Sequence, residues 1–91
     1  MKKAIMFLLS AAVGLFVVAC GSKTICTTED RSRWQDQEAF KQKLLSEGFE
    51  ISELKVTEGN CYEIYGWDKD RKKVEIYFNP VDGSKVKEEA H

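Results

Sequence analysis

The chain has 91 residues, with 14 basic and 15 acidic side chains and a formal net charge of −1. That length leaves room for one domain. The charges are interspersed, which argues against nucleic acid as a partner, since nucleic acid would need a basic face.

Met1, Lys2 and Lys3 form a basic start, and Ala4 to Val18 then carries no charge. An apolar run of roughly 15 residues is short for a membrane span and suits the core of an export signal. Residues 1–19 are therefore read as a signal peptide, and fold reasoning begins at Cys20. Val17-Val18-Ala19-Cys20, followed by Gly21-Ser22, resembles the lipobox of bacterial lipoproteins. It would make Cys20 the site of lipid (palmitate) attachment. The alternative is an ordinary secretory signal cut nearby, with Cys20 a passenger. Each lipid methylene buried contributes about 0.8 kcal/mol, so a multi-chain anchor would hold the protein on a membrane. Gly21 is not the acidic residue linked to inner-membrane retention. The expected location is thus the bacterial cell envelope, on the outer membrane facing the periplasm.

Three cysteines leave an odd one in an exported protein. If Cys20 carries lipid, Cys26 and Cys61 remain to pair in an oxidising compartment. A disulfide to Cys20, or a free thiol, needs an extra assumption. Without Lys2 and Lys3, 12 basic residues face 15 acidic ones, a net charge of −3 on the mature part. A domain this small has a marginal core, so a covalent staple is expected.

Residues 20–33 are polar and without period, and read as a tether between membrane and domain, pinned at Cys26 if the disulfide forms. Trp34 to Glu47 reads as a helix capped by Asp36, with Ala39, Phe40 and Leu44 on its apolar stripe and Lys41, Gln42 and Lys43 facing water. Phe40 can pack back toward Trp34 as a hydrophobic staple, and Gly48 stands where helices end in a left-handed residue. Phe49-Glu50-Ile51 and Leu54-Lys55-Val56 each alternate, but with parity shifted by one, which predicts a bulge near Ser52-Glu53 or a break. Cys61 to Trp67 and Lys73 to Phe78 read as a hairpin. A three-residue loop, Lys69 to Arg71, would set Ile64 against Ile76 and Tyr62 against Phe78, placing the aliphatic residues on one face. Arg71 would then need a positive φ. Glu63, Tyr65, Glu75 and Tyr77 would share the other face, expected to be solvated. Asn79-Pro80-Val81-Asp82-Gly83 reads as a turn into a short edge segment at Lys85 to Lys87. The expected fold class is α+β, one helix packed on a three- to four-stranded antiparallel β-meander.

Trp34, the helix, Gly48-Phe49, Cys61-Tyr62-Glu63-Ile64-Tyr65-Gly66, the charged hairpin, and Val74-Glu75-Ile76-Tyr77-Phe78 before Asn79-Pro80-Val81-Asp82-Gly83 together resemble the PepSY domain. The resemblance covers residues 34–88. It departs from the family pattern at Arg71, where glycine is common, and at Val81-Asp82. It implies a role in restraining peptidases or in binding within the envelope, and supplies no catalytic residues to carry over.

The chemistry of the residues agrees with that expectation. His91 is the only histidine and stands last in the sequence, so Ser and Cys nucleophiles lack their usual activator. The cysteine spacing fits neither a redox CxxC pair nor a zinc set. No catalytic residue, metal ligand or cofactor is therefore expected. Tyr65, Trp67 and Tyr77 would form an aromatic surface for a protein partner, such as a peptidase, and a sheet edge could accept an extended peptide. The competing reading is a small-molecule or metal-sensing envelope module; an enzyme relying on carboxylates alone ranks third.

Overall fold

The computed structural model describes Lys23 to Ala90; the stretch read as a signal peptide, Cys20 and His91 lie outside the described residues. Asp36 decides where the helix begins. Its carboxylate accepts from the Ala39 amide at 2.9 Å, and helix α1 runs from Gln37 to Ser46. The residues before it instead form a 3-10 turn at Arg31–Arg33, capped by Asp30. The helix thus starts three residues later than the sequence pattern suggests. Gly48 ends it at φ 103°, and the Phe49 amide returns to the Leu44 carbonyl at 3.2 Å.

Four strands follow as an antiparallel meander in the order β1-β2-β3-β4: β1 Glu50–Val56, β2 Tyr62–Trp67, β3 Lys73–Phe78 and β4 Lys85–Ala90. The expected irregularity in β1 is a bulge between Ile51 and Glu53, which reconciles the two alternations. Ile64 pairs with Ile76 and Tyr62 with Phe78, the register that the three-residue loop requires. That loop is closed by Asp68, whose amide donates to the Lys72 carbonyl at 2.9 Å, and Arg71 stands at φ 68°. β4 is longer than the segment expected, because its backbone pairs with β3 as far as Val74↔Ala90.

One face of the sheet carries the core. Phe40 and Leu44 descend from α1 onto Tyr62, Ile64, Val74, Ile76 and Phe78, all buried. The Phe40 ring lies 5.3 Å from Tyr62 and 5.2 Å from Phe78, and Trp34 meets Tyr62 edge-on at 5.7 Å. Only Phe40 and Leu44 are buried on the helix; Ala39 is exposed and Lys41 half-buried, so the apolar stripe is narrower than the sequence suggests.

The span expected as a tether is docked on the domain from Thr24 onward. Cys26 and Cys61 form a disulfide, the Cys26 amide donates to the Gly59 carbonyl at 2.9 Å, and Asn60 Nδ2 reaches the Thr27 carbonyl at 3.4 Å. A Cβ on Gly59 would stand 1.8 Å from the Thr24 carbonyl oxygen, so glycine permits this close approach.

Candidate functional site

The helix covers one face of the sheet, and the other face collects the polar residues of all four strands in two register rows. The first row runs Lys55–Glu63–Tyr77–Lys87 from β1 to β4; the second runs Glu53–Tyr65–Glu75–Glu89. The rows form a checkerboard in which each carboxylate of the central strands stands opposite a tyrosine.

Glu63 is the exception to the expectation of a solvated face. It is 3 % exposed, as dry as the core, although its side chain points away from the helix. The reason is what surrounds it. The tyrosine rings flank it, and lysine arms from the outer strands reach over those rings: Lys55 Nζ lies 5.4 Å from the Tyr65 centroid and Lys87 Nζ 5.7 Å from that of Tyr77. Lys55 Nζ also lies 4.0 Å from Glu63 Oε1. Oε2 is buried and has no hydrogen-bond partner. Tyr77 donates to Glu75 Oε2 at 3.0 Å.

Charge in this quartet is displaced accordingly. Burial, then the neighbouring Glu75 carboxyl, raises the Glu63 carboxyl above its ordinary range. Tyr65 is pushed up by its hydrogen bonds to Glu63 and Glu75, and Tyr77 by burial and by its bond to Glu75. Beside Glu63, a cleft of about 410 Å³ opens between Lys23, Glu58, Lys55 and Lys87. The described residues hold no group of three or more His, Cys, Asp or Glu arranged to hold a metal.

Tyr65, Trp67 and Tyr77, the candidate partner-binding residues, all lie half-buried on this face. They are not one apolar patch: Glu63 and Glu75 stand between the two tyrosines, and Trp67 lies two residues further along β2, paired with Glu50 and Lys73.

A family model described as the peptidase propeptide and YPEB domain matches residues 3–89. The chain belongs to this PepSY family. No curated protein and no solved structure gives a match. Membership agrees with a non-catalytic module of the propeptide type. What the sequence pattern missed in this PepSY domain is the buried Glu63. The available signal was the pairing of two Glu-x-Tyr stretches, Glu63–Tyr65 and Glu75–Tyr77, on strands that lie side by side.

Proposed function

We propose that this PepSY domain is a non-catalytic module of the bacterial cell envelope, held on a membrane by lipid at Cys20, and that it binds or restrains a protein partner such as a peptidase. The observation that carries this reading is the family match over residues 3–89, to a domain described by its occurrence in peptidase propeptides. The partner docks on the sheet face opposite the helix. Among the described residues no helix lies over that face, which carries half-exposed aromatic residues among charges, a composition favoured in binding hot spots. The basic start, the uncharged run and Val17-Val18-Ala19-Cys20 support export and lipid attachment, and a disulfide suits an oxidising compartment.

Affinity capture from solubilised membranes tests the reading. The unaltered protein is expected to retain a partner that a Tyr65→Ala/Trp67→Ala variant releases. Retention of the same partners by the folded double variant contradicts the assignment of this face.

A further inference from the structure

Glu63 has no role in the fold's apolar core, yet it is buried more completely than either tyrosine beside it. A carboxylate in such a place demands full hydrogen bonding or a proton. Its Oε2 lacks the bonds. Its acidic neighbour on the adjacent strand is Glu75, two residue pairs along the same ladder and on the same face, and Tyr77, directly opposite Glu63, donates to Glu75 Oε2 at 3.0 Å. With one carboxyl dry and short of a donor, a proton on either would let the pair form a hydrogen bond that two carboxylates cannot.

We propose that Glu63 and Glu75 share a single proton on the outer face of β2 and β3, and that its release as pH rises loosens the packing of that face. The dyad is thereby a pH-responsive device built into the sheet.

The groups around the dyad set its balance. From β1, Lys55 approaches Glu63 at 4.0 Å and favours ionisation, but its side chain is 47 % exposed and so is screened by water. Glu53, also on β1, is exposed and pairs in register with Tyr65. From β4, Lys87 is engaged by Glu89 at 3.1 Å, and at the cleft Lys23 lies 3.5 Å from Glu58. The Tyr77 phenol donates to Glu75 Oε2 at 3.0 Å, and the Tyr65 ring stands directly opposite Glu75 in the register. One exposed cation therefore stands against two adjacent carboxyls, one of them dry. With both ionised, like charges would meet in a poorly solvated place, and the shared proton removes that conflict.

The sign follows from linkage. The folded state holds this proton to higher pH than the unfolded chain, whose Glu ionises near 4.5. The stabilisation is complete below that pH and is lost as pH rises through the raised folded value. The proposal stands whether or not the face binds a partner.

Carboxyl carbon NMR of the oxidised protein tests it directly. Glu63 and Glu75 are expected to titrate as a coupled pair, with one midpoint above the ordinary Glu range, and Glu75→Gln is expected to return Glu63 toward that range. In urea unfolding between about pH 4.5 and pH 8, the unfolding constant of the unaltered protein should rise with pH, at most about tenfold per pH unit for one proton. Glu63→Gln should flatten that rise. Independent titration of both carboxyls in the ordinary range, or stability that is flat or increasing across this interval, overturns the proposal. If Glu63→Gln does not fold, the titration of the unaltered protein still decides.

Discussion

Glu63 and Glu75 occupy diagonal positions on neighbouring strands, each directly opposite the tyrosine that follows the other by two residues. This arrangement puts two carboxyls and two phenols within one patch. It explains why the face opposite α1 is partly dry.

All three tyrosines of the chain are held neutral above their ordinary value of 10.0, Tyr62 chiefly by burial and then by Asp36, the other two through the quartet. Phenolate absorbance of the folded protein should therefore lag behind that of the urea-unfolded chain near pH 10. The stabilisation these groups give is complete below that pH and fades as pH rises beyond it. Normal phenolate formation in the folded state would contradict the geometry of the quartet.

The Cys26–Cys61 bridge ties residues 35 apart in sequence. Loop entropy alone assigns such a bridge about 3–4 kcal/mol. Reduction, or Cys26→Ser/Cys61→Ser, is expected to lower stability to denaturant by an amount of that order.

Ile64 and Ile76 are fully buried and face one another across the ladder. Ile76→Ala should destabilise by about 2–5 kcal/mol, because the removed atoms leave a cavity in a thin core. Exposed positions on the helix, such as Gln42, should tolerate alanine within about 0.5 kcal/mol. Denaturant midpoints compare the two.

Arg71 adopts φ 68° in the hairpin loop. Arg71→Gly should relieve roughly 1 kcal/mol of backbone strain. The lost pair with Glu50, 3.6 Å long with both side chains largely exposed, offsets only a few tenths of that. A rise in the denaturant midpoint is expected.

Metabolic labelling with an alkyne fatty acid tests the proposed lipid attachment at Cys20. The unaltered protein should incorporate label and Cys20→Ala should not.

The core face was legible in the sequence because one buried face fixes strand register: the Ile64–Ile76 and Tyr62–Phe78 pairs, the bulge in β1 and the positive φ of Arg71 all follow from alternation. The outer face was not. A glutamate at an outward position reads as solvated, and its burial depends on Lys55 and Lys87, which arrive from strands on either side. Beyond the anchoring at Cys26, the docking of Thr24 to Thr27 was hidden for a similar reason. A polar stretch without period gives no sign that its backbone will lie against Gly59. β4 reads as a charged tail, since none of its residues is buried; its order comes from backbone pairing with β3.

Site-specific photo-crosslinking in living cells most directly tests whether the face opposite the helix is the working surface. A crosslinker replacing Trp67 is expected to capture a partner protein, whereas one replacing Gln42 on the exposed side of α1 is not. Capture from Gln42 with none from Trp67, in proteins of equal stability, would contradict the account.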